Sequence, residues 1–174
     1  MKTTGVSRRI DDLGRIVIPK EIRKNLKIRN GELLEIMVND ESIILSKHSN
    51  MKGIRDVAQL IVDAAGEVVE INMIVTDRDM IIATSPSLKK RYVNPNISAK
   101  YSEMMLKHQP TTSLTPNRIK INDEVEEETA YIIYPIVADG DVAGSVIALG
   151  LDNKITEIDG KMVEIVSKFL SRNI

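Results

Sequence analysis

Residues 8–24, Arg8-Arg9-Ile10-Asp11-Asp12-Leu13-Gly14-Arg15-Ile16-Val17-Ile18-Pro19-Lys20-Glu21-Ile22-Arg23-Lys24, hold the densest group of cations in the chain. Asp11-Asp12-Leu13-Gly14 reads as a turn whose glycine is free to take positive φ. Val6–Ile10 before it and Arg15–Ile18 after it read as strands. Pro19 keeps Ile18 extended and suits the first position of a helix, which the pattern predicts to run to about Leu26. Lys20, Arg23, Lys24 and Lys27 recur at i, i+3, i+4 and i+7 and share one helical face, with Ile22 and Leu26 turned towards a core.

Outward from this stretch, Leu34, Ile36 and Val38 alternate as one buried face of a strand. Asn39-Asp40-Glu41 turns the chain, and Ser42–Ser46 returns. The order is β-β-α-β-β within the first 47 residues. So small a unit buries too little surface to stand alone. The chain has no cysteine to staple it, and oligomerisation is the route left. An obligate dimer is expected, with exchanged strands as one way of building it.

Charge separates this unit from the rest. Residues 1–30 carry nine basic and three acidic residues, a balance of +6. The whole chain has 24 basic and 25 acidic residues, net −1, so residues 31–174 hold −7. The asymmetry calls for an anionic partner. All five aromatics (Tyr92, Tyr101, Tyr131, Tyr134, Phe169) lie beyond residue 90. With nothing on which to stack exposed bases, double-stranded DNA is favoured over single strands or RNA. A solvated helix face is the alternative for Lys20, Arg23 and Lys24. Three arginines on the neighbouring hairpin, against so few acids, favour a nucleic-acid surface built from Arg8, Arg9, Arg15, Lys20, Arg23 and Lys24.

A hinge at residues 48–53 leads into a second half. Ile54, Val57, Ala58, Ile61 and Ala65 recur at helical spacing, with Gly66 placed to end the helix. Strands follow at about 68–76 and 80–84, a helix at 98–108, a proline-bounded loop at 110–116 and a short strand at 119–122. Ile132–Val137 and Val142–Leu149 form a hairpin across Asp139-Gly140-Asp141. Ile155, Ile158, Met162, Ile165, Val166, Phe169 and Leu170 mark a closing helix with a capping-box start at Thr156. The layout is two domains, 1–50 and 56–174, joined by a linker at 51–55, the second an α+β domain. The helices at 54–65 and 156–172 either bundle between subunits or pack on their own sheet.

Several classes of chemistry are excluded. Without cysteine there is no disulfide, thiol catalysis or thiolate metal site, and His48 and His108 alone make a metal centre improbable. Gly140, Gly144 and Gly150 form no phosphate-binding loop, and Gly160-Lys161 lacks the rest of a P-loop. Gly144-Ser145 is no nucleophile elbow. Acid pairs such as Asp11-Asp12 and Glu126-Glu127-Glu128 read as solvated surface. No catalytic residue, metal or cofactor is expected, and the chain reads as a non-enzyme of the cytoplasm with no membrane span. Ser85–Arg91 is a candidate anion-receiving loop, with a plain basic loop as the alternative. Tyr131 and Tyr134 read as core or interface.

The stretch from Thr3 through Asp12-Leu13-Gly14-Arg15-Ile16-Val17-Ile18-Pro19 to Leu34-Glu35-Ile36 resembles the swapped-hairpin DNA-binding domain of AbrB-type transition-state regulators, over residues 1–50. Tyr134-Pro135-Ile136-Val137, with Gly140, Gly144 and Ile147, is similar to a hairpin of GAF domains. The two together resemble sporulation regulators in which a swapped-hairpin domain precedes a GAF domain. The resemblance implies a mainly-β, strand-exchanged N-terminal dimer, pairing of dimers into a tetramer, and transcriptional activation or repression in a spore-forming bacterium. Arg8, Arg15 and Arg23 match the family's DNA contacts; Arg9 and Lys24 keep its charge, although lysine at 24 gives up the two-bond fork of arginine. Lys20 is added from helix spacing alone. The GAF-like half implies assembly and a small-molecule ligand of unknown identity. Swapped-hairpin antidotes of toxin–antitoxin pairs share the first fold, so a protein-binding antidote is the alternative.

Overall fold

The computed structural model describes residues 5–47, 51 and 53–174. The chain divides into two compact units, one ending at residue 48 and the other starting at residue 49. Met51 and Ile54, in the stretch expected to be linker, are buried in the core of the second unit.

In the first unit, α1 (Lys20–Asn25) precedes an antiparallel hairpin of β1 (Leu34–Asn39) and β2 (Ser42–Lys47). Pro19 stands at the N-cap, one place earlier than its preference for the first helical turn predicts. At the other end Ile28 N–H donates to the Arg23 carbonyl at 2.7 Å and Lys27 N–H to that of Lys24 at 3.2 Å. This is the paired C-terminal closure in which one residue turns left-handed, and Lys27 takes that place at φ 52°. Lys27 therefore does not extend the cationic helix face, contrary to its i+7 spacing.

Val6–Ile10 and Arg15–Ile18, expected as strands, are not paired as strands. A strand exists by exchanging hydrogen bonds with a neighbour, and the described residues of one copy supply none there. The alternation of Leu34, Ile36 and Val38 does form a strand, but its face is open: Ile36 is 69% and Val38 78% exposed. None of residues 5–47 is buried.

The second unit has a sheet of five antiparallel strands in the order β4-β3-β7-β6-β5: β3 (Asn72–Asp77), β4 (Ile81–Thr84), β5 (Thr111–Ile119), β6 (Glu127–Ala138) and β7 (Asp141–Leu149). Residues alternate between two buried layers. Met73, Val75, Ile132, Ile136, Val146 and Ala148 meet α2 (Arg55–Val68) and α4 (Glu157–Ser171). Ile74, Ile133 and Ile147 face the other way, towards Leu88, Tyr92, Ile97 and the short α3 (Ala99–Met105). The terminal helices thus pack on their own sheet, while Leu60, Ile158, Ile165 and Phe169 stay exposed.

Local signals set several joints. The β6–β7 turn is Asp139-Gly140, at φ 51° and 85°, the left-handed pair that a two-residue hairpin favours. Thr156 Oγ1 accepts from Asp159 N–H at 3.2 Å and Asp159 Oδ2 from Thr156 N–H at 2.7 Å, closing the expected capping box. Gly66 does not end its helix: Val69 N–H still donates to the Ala65 carbonyl, and α2 runs to Val68. The next strand therefore starts at Asn72 instead of 68. Residues 110–116 are not a loop. β5 pairs Thr111–Ser113 and Asn117–Ile119 with β6, and the ladder is irregular between them. Pro116 sits in that interruption on an edge strand, where a missing N–H costs least. Among the described residues, no helix is long and apolar enough to cross a membrane.

Gly144 packs closely against β3: a Cβ there would lie 2.0 Å from the Thr76 carbonyl oxygen. Gly144→Ala is expected to destabilise the second unit by about 3 kcal/mol. Chemical denaturation of the full chain, followed by exchange of the β6 and β7 amides, checks this; an unchanged midpoint would contradict the packing.

Candidate nucleic-acid interface

The turn before α1 is built around one carboxylate. Gly14, at φ 74°, lets the chain reverse; Gly14 N–H donates to the Asp11 carbonyl and Asp11 N–H to that of Arg15. Asp11 Oδ1 accepts from the N–H groups of Leu13 at 3.0 Å and Arg15 at 2.8 Å, and Oδ2 accepts from Arg15 Nε at 2.8 Å. These bonds, first those from the backbone and side chain of Arg15, hold the Asp11 carboxyl below its ordinary range. Asp11 is thus no mere solvated acid. It holds Arg15 by Nε alone, and the side chain of Arg15 is 70% exposed. The terminal amino groups of Arg15 make no protein hydrogen bond among the described residues. An arginine so held presents a fork suited to phosphate or a guanine edge.

Arg8 and Arg9 are exposed on the extended segment before this turn, and Lys20 and Lys24 are exposed on α1. Among the described residues none of these four has an ion-pair partner. Arg23 differs from the open face that helix spacing predicts. It is half-buried, its Nη1 donates to Asn30 Oδ1 at 2.8 Å, and its Nε is buried without a partner among the described residues. Sequence reasoning missed both holders, Asp11 and Asn30; only the i,i+4 spacing of Asp11 and Arg15 around a glycine turn offered a signal. Ile22 is half-buried and Leu26 54% exposed, so within one copy the apolar side of α1 meets no core.

The second unit spends its basic loop differently. Lys89 lies 4.0 Å from Asp63, and Arg91 pairs with Glu127 at 3.0 Å. Glu127 is buried and also accepts from the Tyr92 hydroxyl at 3.1 Å, so it is not solvated surface. Residues 85–91 therefore brace the fold instead of leaving an open anion cradle. Across the sheet, the Tyr101 hydroxyl lies 2.7 Å from Ser145 Oγ, which lies 2.8 Å from Thr76 Oγ1, all buried. Burial pushes the Tyr101 phenol well above its ordinary range, so it stays neutral. His108 is exposed at φ 57° just after α3.

A cation-rich unit without a core of its own is thus followed by an α+β unit whose sheet is covered on both faces. The family model described as stage V sporulation protein T C-terminal, transcription factor, matches residues 53–174. A second, described as antidote-toxin recognition MazE, bacterial antitoxin, matches residues 8–52. Over 176 aligned positions, 100% of this chain and 99% of the relative, the chain is 39% identical to stage V sporulation protein T of Bacillus subtilis (strain 168). The chain belongs to the stage V sporulation protein T family. Its first unit is AbrB-like: it is 54% identical over 48 residues to the transition state regulatory protein AbrB of the same organism, covering 28% of this chain and 50% of AbrB.

The second unit has the GAF fold. It is similar to the cofactor binding GAF domain of the nutrient sensor CodY from Clostridium difficile (TM-score 0.50, 14% identity, 65% of this chain and 81% of that one). It is also similar to the GAF domain of a phosphoenolpyruvate-protein phosphotransferase from Coxiella burnetii (TM-score 0.52, 12% identity, 69% and 81%). At such identities the likeness concerns the fold alone.

The lowered Asp11 carboxyl has a definite sign. Its contribution is present above the ordinary carboxylate range and is lost as pH falls through the lowered value. In an NMR titration Asp11 is expected to protonate at lower pH than a free aspartate, and Arg15→Ala should move the midpoint up. Identical midpoints in the two proteins would mean that Asp11 does not hold Arg15 in solution.

Proposed function

We propose that this chain is a double-stranded-DNA-binding regulator of sporulation-stage genes, as activator or repressor, that works in the cytoplasm and is not an enzyme. Two copies of the first unit pair, through exchanged strands, and present the basic residues with two-fold symmetry. The observation that carries this reading is the cationic turn and helix, where Arg15 is held by Asp11 through Nε with its outer amino groups open. Arg8, Arg9, Arg15 and Arg23 take the arginine contacts, and Lys20 and Lys24 add point charges towards phosphates. The exposed apolar residues of β1 and β2 support pairing, and the family's description as a transcription factor supports the DNA partner.

The second unit joins dimers into a tetramer and senses a small molecule on this reading. Its support is the apolar side of α2 and α4 left open by Leu60, Ile158, Ile165 and Phe169. A second reading, a protein-binding antidote, draws on the antitoxin model that matches residues 8–52. The folded second unit weighs against it, because such an antidote has no use for a two-layer sensory fold.

Duplex binding by anisotropy across a salt series tests the reading. Log affinity should fall by about 0.9 per neutralised phosphate for each log unit of salt. Arg8→Ala/Arg15→Ala/Arg23→Ala should weaken binding and flatten that slope. Equal, weak binding by both proteins would overturn the DNA reading and bring the antidote forward.

A further inference from the structure

Within the second unit, Tyr101 fills the centre of the α3 side of the sheet and engages Ser145 and Thr76 there. A ligand that leaves this packing intact has to enter at a margin. One margin is lined mainly by cations. A cleft of about 260 Å³ lies between α3 and the edge strand β5. Lys100 and Lys107 line it from α3 and the turn after it, and Arg118 and Lys120 from the end of β5. Glu103 is the one acid in that lining. From residue 49 on, the chain holds fourteen basic and eighteen acidic residues, so this local excess of cations runs against the charge of its own unit.

We propose that this cleft binds a small multivalent anion, a polycarboxylate or a phosphorylated metabolite. The proposal rests on the sensing reading above and gives that ligand a place and a chemical class. Lys100, Lys107 and Lys120 have no ion-pair partner among the described residues. Arg118 shares only an exposed contact with Glu128, at 3.6 Å. Met104 and Ile119 add apolar wall for a carbon skeleton.

The walls are held at a fixed spacing. Ser98, the N-cap of α3, donates its N–H to the Ile121 carbonyl at 2.7 Å and its hydroxyl to that of Lys120 at 2.6 Å. Tyr101 pins the same helix to β7 through Ser145. A prebuilt site loses less on binding than one that must be ordered first. At about 260 Å³ the cleft lies near the lower end of ligand-site volumes and suits a compact molecule. Elsewhere in the unit Lys89 pairs with Asp63 and Arg91 with Glu127, and the exposed Lys90, Lys154 and Arg172 line neither this cleft nor the larger one. The larger cleft, of about 610 Å³, is lined by Asp63, Glu67 and Glu70 with Lys89 as its one cation, the wrong sign for an anion.

Calorimetric titration of the full chain with citrate and with pyrophosphate tests the site, with glycerol as the uncharged control. One anion per chain should bind. Lys100→Gln/Lys107→Gln/Lys120→Gln should weaken it about tenfold or more, and Glu103→Gln should strengthen it, each with an unchanged unfolding midpoint. Arg8→Ala/Arg15→Ala/Arg23→Ala should leave it unaltered. The tighter of the two anions identifies carboxylate or phosphoryl chemistry. No binding of either anion, or binding lost only in the first-unit variant, overturns the proposal. Duplex affinity with the cleft saturated separates the two readings: a shift supports both, whereas an intact anion site with unshifted duplex affinity overturns sensing and leaves the site standing.

Discussion

A chain that buries nothing cannot hold itself together, and in the first unit none of residues 5–47 is buried. Its apolar side chains lie on β1, β2 and the extended segments around the Asp11 turn, with Val38 78% and Val17 74% exposed. Burying an aliphatic side chain of this size contributes about 1.5–3 kcal/mol. So many of them left in water would remove any margin of stability, which for a whole domain is only about 5–15 kcal/mol. A second copy supplies the missing surface on the reading proposed above, and it also supplies neighbours for Val6–Ile10 and Arg15–Ile18. The same pairing doubles the cationic face. Folding and pairing are then one event in this unit, and pairing also builds the surface proposed for DNA.

The second unit solves the opposite problem. Its five strands are covered on both faces, and its polar residues in the core are satisfied: Thr76, Ser145 and Tyr101 by one another, Glu127 by Arg91 and Tyr92. Its core is built within one copy. Its exposed helix residues are free to serve assembly, and its marginal clefts are free to serve ligands. The division of charge follows the division of labour, with cations concentrated where DNA is to be held and a net acidic character elsewhere.

Much of this was legible in the sequence where a signal is local. Asp139-Gly140 announces its turn because both residues tolerate left-handed φ, and Thr156 announces a helix start because its hydroxyl caps the residue three places on. The alternation of Leu34, Ile36 and Val38 gives a strand but not its burial, since burial depends on what arrives from outside the segment. Thr111–Ile119 was hidden by prolines, because whether a proline breaks a strand depends on which neighbour it faces. Gly66 misled because glycine ends a helix only where the backbone turns left-handed, and here it does not. Among the site residues, exposure of Arg8, Arg9, Lys20 and Lys24 followed from charge. The clamps on Arg15 and Arg23, and the burial of Glu127, required contacts across a turn or a sheet that spacing does not encode.

The claim on which the account rests is that the first unit is completed by a second copy. Hydrogen exchange of the β1 and β2 amides in the full chain, measured over about a hundredfold range of protein concentration, tests it by mass action. Their protection is expected to rise with concentration while that of β6 and β7 within the sheet stays level. Protection of β1 and β2 that is independent of concentration down to dissociating dilution would contradict it.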